Sequence, residues 1–251
     1  MDEPRKAVTA ALVIIGNEIL SGRTQDANLA FLARELGEVG IQMREARVVP
    51  DDEKEIIAAV NELRRRYDHV FTTGGIGPTH DDITSASIAK ALGRRYVRHP
   101  EAERRLLAYY PPEKVNAARM KMADTPEGAE LIDNPVSVAP GFRVENVYVL
   151  PGIPSILQAM FEGLKPKLRG GAVVRSRTLT VFCPEGEIAK PLSDIQARHA
   201  MVEIGSYPFM RQDRFGTSLV FRGVDEAEIT AAAEELLAVA KERGIEVEEL
   251  F

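Results

Sequence analysis

The sequence predicts an α/β protein with a mostly parallel sheet flanked by helices, followed by a small α+β module. Apolar runs of strand length alternate with segments of helical periodicity up to residue 168. Glycine or proline follows several of these runs, as expected where strands end. After Arg169-Gly170-Gly171 the predicted order changes to β-α-β-β-α. We therefore place a first domain at residues 1–170 and a second at residues 171–251.

The elements of the first domain have recognisable signals. Residues 7–15 form an almost continuous apolar run, which is expected of a central strand covered on both faces. Asp52 and Glu55 have the spacing of a capping box and open a helix, and Pro154 suits the first turn of another. Strands are predicted over residues 7–15, 41–49, 70–73 and 147–150. Helices are predicted over residues 25–39, 52–66, 83–92, 100–121 and 154–164, and the helical stretch over 100–121 is broken at Pro111-Pro112.

The second domain has a different order of elements. Strands are predicted over residues 178–182, 201–207 and 217–221, and helices over residues 186–199 and 226–243. The last helix is clearly amphipathic and starts after Asp225. This order predicts an α+β module of about 80 residues, which is within the normal size of a domain.

Composition excludes several classes of protein. The net charge of −6 argues against a general binder of nucleic acid or membrane surfaces, because both need a basic footprint. Cys183 is the single cysteine, so no internal disulfide can form, and a buried position is expected for it. No apolar run approaches the length of a membrane span, and the amino terminus does not resemble a signal peptide. We expect a cytoplasmic protein with no nucleic-acid or membrane partner.

The most informative motif is the segment from Phe71 to Thr84. Gly74, Gly75 and Gly77 lie between a buried strand and a helix, where glycines let backbone amides approach an anion and the helix dipole favours negative charge. Asp81 and Asp82 would repel a bare phosphate, so their presence indicates a bridging divalent cation. The combination predicts a small phosphorylated ligand.

The loop differs from two known phosphate-binding motifs. It is not a Walker A loop, because no Gly-Lys-Ser/Thr follows, and His80 stands where the dinucleotide fingerprint requires its last glycine. A plain Gly/Pro turn with Asp81 or Asp82 as an ordinary helix N-cap is the structural alternative. Ligands of open α/β sheets bind beyond the carboxyl ends of the strands. The loops at Gly16, Pro50 and Gly74 are therefore expected to share one rim.

Several separate blocks resemble the MoaB/Mog-type molybdopterin-binding domain, in the form found at the amino terminus of the CinA (competence/damage-inducible protein A) family. The residues after Gly171 resemble the KH-like middle module of that family. The carboxy-terminal CinA domain, associated with nicotinamide mononucleotide deamidation, has no counterpart here, so we do not expect that activity. The blocks in the first domain are residues 16–22, Asn28, residues 49–51, 72–84, 126–129, 134–136, 139–142 and 150–154.

The resemblance implies two functional classes. Mog-like members bind molybdopterin and carry out adenylyl transfer with a divalent cation. CinA-like members are associated with metal-dependent hydrolysis of a nucleotide pyrophosphate, such as ADP-ribose or FAD. We expect the hydrolase, with Mg²⁺, Mn²⁺ or Co²⁺ as the cation; the alternative is a protein with molybdopterin as its ligand. Relatives of this domain self-associate, so the resemblance also implies a homo-oligomer.

The resemblance also assigns roles to residues. Asp82 and Asp51 match the two catalytic aspartates of the Mog motif, and together with Asp81 they are the expected metal ligands. The expected ligand-binding residues lie in three loops: Gly16, Glu18, Gly74, Gly75, Gly77, Thr79, Pro151 and Gly152. Within this set, the glycine amides at 74, 75 and 77 and the Thr79 hydroxyl would hold one phosphate.

Two of these acids have simpler interpretations. Asp51 could cap the helix that follows Pro50, given the strong preference of Asp for N-cap positions. Glu18 could be a solvated loop acid, since Glu is usually exposed. If functional, Glu18 would be an extra metal ligand or would orient the water.

Overall fold

The computed structural model describes residues 8–211 and 214–250, and the chain divides into two units between Ala172 and Val173. Each unit has its own sheet and its own core. Residue 7, predicted as the start of the first strand, lies outside the described residues.

The first unit is built on a six-stranded sheet. The strands of this unit are β1 (Val8–Ile15), β2 (Ile41–Val49), β3 (His69–Thr73), β4 (Tyr96–Arg98), β5 (Asp124–Pro126), β6 (Glu130–Ile132), β7 (Gly141–Val144) and β8 (Val147–Leu150). The order in the sheet is β2-β1-β3-β8-β7-β6, and β4 pairs with β5 separately. The helices are α1 (Asn17–Leu20), α2 (Asn28–Glu38), α3 (Glu53–Arg66), α4 (Thr84–Ala91), α5 (Pro100–Tyr109), α6 (Ala117–Lys121) and α7 (Pro154–Leu164). Short 3-10 turns follow α5 and α7.

The sheet is mostly parallel, as the sequence predicts. β2, β1, β3 and β8 pair in parallel, whereas β7 and β6 extend the sheet with antiparallel pairing. The parallel strands are connected through helices, so their carboxyl ends all reach the same edge of the sheet. This edge is where the predicted glycine loops lie.

Both faces of the sheet are buried, which explains the apolar run of β1. Ala11, Val13 and Ile15 point into a core shared with α3 and α4. Ala10, Leu12 and Ile14 point into a second core, shared with α2 and α7. Each fully buried leucine or isoleucine of this kind contributes about 1.5–3 kcal/mol relative to its exposed state. From Ala10 to Ile15 the central strand therefore has no position left for a polar side chain on either face.

The helical segment between α4 and β6 breaks where the sequence predicts. A helical stretch with a break at Pro111-Pro112 was expected over residues 100–121, and in the structure α5 ends at Tyr109 and α6 begins at Ala117. Two prolines, Pro111 and Pro112, separate these helices, because proline cannot continue a helix through its own position. A small separate core holds the segment together, made of Ala102, Leu106, Met120 and Ala123.

The second unit is an antiparallel four-stranded sheet with two helices. Its elements are β9 (Arg175–Val181), α8 (Glu185–Arg198), β10 (Glu203–Arg211), β11 (Arg214–Gly223), α9 (Glu226–Glu242) and β12 (Val247–Leu250). The sheet order is β10-β11-β9-β12. The predicted β-α-β-β-α order is confirmed, β12 was not predicted, and Asp225 caps α9 through the amide of Ala227. Cys183 is buried in the core of this unit, as expected.

Within residues 8–211 and 214–250, none of the helices combines the length and apolarity required to cross a bilayer.

Candidate functional site

Four loops meet at the carboxyl edge of the parallel strands. Gly16 follows β1, Pro50 follows β2, Gly74 follows β3 and Pro151 follows β8. The backbone ties them together: the amide of Gly16 donates to the carbonyl of Val49 at 3.2 Å. The predicted common rim is therefore confirmed, and it also includes the loop at Pro151.

Gly74 is the point where three of these loops touch. Its φ is +101°, and a Cβ at this position would lie 2.1 Å from the carbonyl oxygen of Ile15. On its other side, a Cβ on Gly152 would lie 3.3 Å from the Gly74 Cα. Only glycine fits such a conformation and such an approach. The Gly74 amide donates to the carbonyl of Leu150 at 3.2 Å. It is therefore not available to a phosphate, contrary to the predicted role of this amide in holding one.

The glycine loop is fastened to the start of α4 by Thr84. The Thr84 hydroxyl donates to the Gly74 carbonyl at 2.9 Å, and its amide donates to the Gly75 carbonyl at 3.0 Å. Thr84 is completely buried. It was not among the predicted site residues, although a threonine at the first position of the helix after a glycine loop was visible in the sequence. The amides of Gly75 and Gly77 remain as the glycine donors that could contact an anion.

Asp82 is oriented by Thr79. Its Oδ2 accepts a hydrogen bond from the Thr79 amide at 2.8 Å and another from the Thr79 hydroxyl. The hydroxyl is therefore committed to Asp82 and not free for a phosphate, contrary to its predicted role. The N-cap of α4 is Ile83, without a side-chain hydrogen bond, so the interpretation of Asp82 as an ordinary helix cap is wrong.

Gly77 and Asp81 complete this loop. A Cβ on Gly77 would lie 2.7 Å from the Asp82 Oδ2, so a side chain there would displace the carboxylate. Asp81 is exposed and does not cap α4 either. The neighbouring Thr79 hydroxyl, followed by the backbone amide of Asp81 itself, holds the pKa of Asp81 below its ordinary value. Asp81 therefore stays negatively charged at neutral pH.

Asp51 contacts the loop after β1 and does not cap a helix. Its Oδ2 accepts a hydrogen bond from the amide of Asn17 at 2.9 Å. The cap of α3 is instead the neighbouring Asp52, whose Oδ1 accepts from the amides of Lys54 and Glu55 at 2.8 and 3.2 Å. The capping interpretation of Asp51 is therefore wrong.

Glu18 lies beside the same loop. It belongs to the short helix α1 and is exposed. A Cβ on Gly16 would lie 2.5 Å from each of its carboxylate oxygens, so the side chain folds back over Gly16. Gly16 and Glu18 therefore occupy the same part of the rim as Asp51, through the Asn17 amide that lies between them in the chain.

A cation at this site would have to share its coordination with the ligand. In the part of the chain that the structure describes, no three His, Cys, Asp or Glu side chains are placed to hold a metal ion, so Asp51, Asp81 and Asp82 form no closed set. Mg²⁺ is commonly bound by one or two carboxylates together with waters and substrate phosphates. Asp51 and Asp82 suit this mode, because each uses only its Oδ2 in hydrogen bonds with described residues.

Two further residues reach the rim from distant parts of the sequence. Asn28, at the start of α2, is buried and donates from Nδ2 to the carbonyl of Gly152 at 2.9 Å. Lys121, the last residue of α6, donates from Nζ to the carbonyl of Thr79 at 2.8 Å. Asn28 belongs to a block that carries the family resemblance but was assigned no role. Lys121 was missed, because its contact spans 42 residues and no local pattern marks it.

Comparison with known proteins assigns the chain to a family. A model described as a probable molybdopterin binding domain matches residues 11–170, and one described as the middle domain of FAD synthase matches residues 173–249. A CinA-like protein of Desulfosudis oleivorans is 38% identical over 201 residues, which cover 75% of this chain and 49% of that protein. The chain belongs to the CinA family.

Other relatives agree with this membership. The crystal structure of CinA from Thermoplasma acidophilum, whose function is described as unknown, superimposes with a TM-score of 0.61 at 35% identity, and covers 64% of this chain and 98% of that one. Protein TK1472 of Thermococcus kodakarensis is 35% identical over 257 residues, covering 96% of this chain and 99% of that protein. This CinA-family chain spans about half the length of the CinA-like protein of D. oleivorans.

Proposed function

We propose that this CinA-family chain is a metal-dependent hydrolase of a nucleotide pyrophosphate of the ADP-ribose or FAD type. One observation supports it above the others: Asp51 and Asp82 follow β2 and β3, the two strands that flank β1. Each carboxylate is oriented by a backbone amide, from Asn17 and Thr79 respectively. The glycine loops after β1 and β3 form the rim between them.

The proposed reaction is attack of water on one phosphorus of the diphosphate. A P–O bond forms, the bridging P–O bond breaks, and the leaving phosphate keeps the bridging oxygen. ADP-ribose would give AMP and ribose 5-phosphate, and FAD would give AMP and FMN. Phosphoryl transfer needs positioning and electrostatic stabilisation more than covalent work by the protein.

The roles of this chain's residues follow from their contacts. The amides of Gly75 and Gly77 would donate to phosphate oxygens near the start of α4, where the helix dipole favours an anion. Asp51 and Asp82 would hold the cation and, through their fixed orientation, the attacking water. When bound, the divalent cation would neutralise charge on the phosphate oxygens and lower the pKa of the attacking water. Glu18 would orient that water.

The test is an assay of AMP release. The purified protein with Mg²⁺, Mn²⁺ or Co²⁺ is expected to release AMP from ADP-ribose or FAD. Asp82→Asn is expected to abolish release while the fold is retained, because an Asn oxygen can still accept from Thr79. Asp52→Asn is the matched control: it removes the same charge from the same rim, and Asn caps α3 as well as Asp does. If none of the three metals supports cleavage of a dinucleotide, the hydrolase proposal is wrong.

A second candidate function is molybdopterin binding or adenylyl transfer. It is favoured by the match of residues 11–170 to a family described as a probable molybdopterin binding domain. Retention of molybdopterin by the purified protein, without turnover of any dinucleotide, would favour this candidate. The match of the second unit to the middle domain of FAD synthase favours the hydrolase proposal instead, because FAD synthase is by its name a protein of FAD metabolism.

A further inference from the structure

Lys121 brings a positive charge to the glycine loop from another part of the fold. It ends α6, and its Nζ donates to the carbonyl of Thr79, the residue that orients Asp82. The side chain is partly buried. No carboxylate among the described residues forms an ion pair with its ammonium group.

The position of Lys121 is set by packing. The Asn116 side chain caps α6 by accepting from the amide of Arg119 at 2.9 Å. Met120, the residue before Lys121, is buried in the small core with Ala102 and Leu106. The short helix α6 therefore holds Lys121 against the loop, because the Asn116 cap fixes its first turn and the buried Met120 fixes its last.

The charge balance of the loop gives this lysine a role. Residues 74–89 contain Asp81 and Asp82 but no lysine or arginine. A Walker A loop carries its own lysine for the phosphates, and this loop has none. A diphosphate would add negative charge to a rim that already holds Asp51 and Glu18. One divalent cation between the carboxylates and the phosphates leaves part of that charge without compensation.

We propose that Lys121 is a phosphate-binding residue of this site, whose ammonium donates to the phosphate oxygens of the ligand in the glycine loop. An ammonium group has three donors, and the Thr79 carbonyl takes one of them. The remaining donors can contact phosphate as charge-assisted hydrogen bonds. The inference rests on the proposed function only in taking a diphosphate as the ligand.

The test measures binding of inorganic pyrophosphate to the full chain by calorimetry in the presence of Mg²⁺. Lys121→Met is expected to weaken binding by about tenfold or more, and Lys121→Arg to restore most of the affinity. Lys114→Met is the matched control: it removes the same charge from an exposed lysine just before α6 and is expected to bind like the wild type.

Lys121→Gln separates phosphate binding from a structural role. Glutamine keeps an N–H donor for the Thr79 carbonyl but has no charge. We expect this variant to unfold at the same temperature as the wild type and to lose pyrophosphate affinity as Lys121→Met does. Wild-type affinity in Lys121→Gln or Lys121→Met would overturn the inference, and so would a wild-type protein that does not bind pyrophosphate.

The two proposals fail in different ways. If ADP-ribose and FAD are not cleaved but pyrophosphate affinity depends on Lys121, the inference stands and the hydrolase proposal is wrong. If ADP-ribose is cleaved and Lys121→Met leaves both its KM and pyrophosphate binding unchanged, the hydrolase proposal stands and the inference is overturned.

Discussion

The Asp51 carboxylate is bound to the backbone of Asn17, with 2.9 Å between its Oδ2 and the amide nitrogen. This contact joins the loop after β2 to the loop after β1 and fixes the direction of the carboxylate. Its neighbour in sequence, Asp52, is used in a different way, as the N-cap of α3. Two adjacent aspartates thus offer a test of function against structure.

Asp51→Asn is expected to lower kcat for pyrophosphate hydrolysis by on the order of a hundredfold, a typical cost of removing one group that stabilises transition-state charge. Its effect on stability should be small, because the Asn oxygen can still accept from the Asn17 amide. Asp52→Ala is expected to do the reverse. It should lose about 1 kcal/mol of unfolding free energy with the cap, and leave kcat unchanged. AMP release and denaturant unfolding measure the two quantities; a loss of stability without loss of turnover in Asp51→Asn would contradict the assignment.

Thr79 offers a second pair of variants. Thr79→Val removes the hydroxyl that donates to Asp82 but keeps the backbone amide that donates to the same oxygen. We expect kcat/KM to fall by about tenfold, because a hydrogen bond to a charged group contributes about 1.5–3 kcal/mol. Thr79→Ser keeps the hydroxyl and should retain most of the activity. Equal kinetics in the two variants would show that the hydroxyl has no part in orienting Asp82.

Gly74 and Gly93 separate backbone strain from steric conflict. Both have positive φ, but a Cβ on Gly93 would meet no atom within 4 Å, whereas one on Gly74 would meet the Ile15 carbonyl. Gly93→Ala is expected to cost about 1 kcal/mol of unfolding free energy from the left-handed conformation alone. Gly74→Ala should cost about 2 kcal/mol more, because the backbone of the central strand must shift. Denaturant midpoints followed by circular dichroism measure the difference, and equal midpoints would refute the close approach.

The first unit shows what its sequence can and cannot specify. The strand at residues 8–15 is predictable because burial on both faces leaves one uninterrupted apolar run. β4 and β5 are not, since each has three residues, polar ones among them, and they pair across a long intervening segment. Short strands of this kind depend on their partner more than on their own composition.

The site shows the same limit. Asp51 and Asp82 could be placed on one rim, because both follow parallel strands of one sheet. Their hydrogen-bond partners could not be predicted: the Asn17 amide and the Thr79 hydroxyl are set by loop geometry. The Gly74 amide was expected to bind phosphate, but it is used by Leu150, a strand end far away in the sequence.

His199 makes the stability of the second unit dependent on pH. Its Nδ1 lies 3.2 Å from Glu228 and its Nε2 lies 3.0 Å from Glu235, both on α9. Hydrogen bonds to Glu235 and then Glu228 raise the pKa of His199 above its ordinary value. Arg198, which also binds Glu235, is the cation beside this cluster. The imidazole at the end of α8 is therefore held to α9 in its charged form.

The sign of the effect follows from the raised pKa. A group whose pKa is higher in the folded state contributes stability that is fully present below its unfolded pKa, about 6.5 for histidine, and is lost as the pH rises through the folded value. We therefore expect the second unit to unfold at a lower denaturant concentration at about pH 8.5 than at about pH 6. His199→Gln should remove this difference, since an amide has no proton to lose, and the carboxylates common to both proteins cancel in the comparison. An imidazole pKa at or below the ordinary value, measured by NMR titration of the wild type, would contradict the cluster, because the charged form would then gain nothing from the two glutamates.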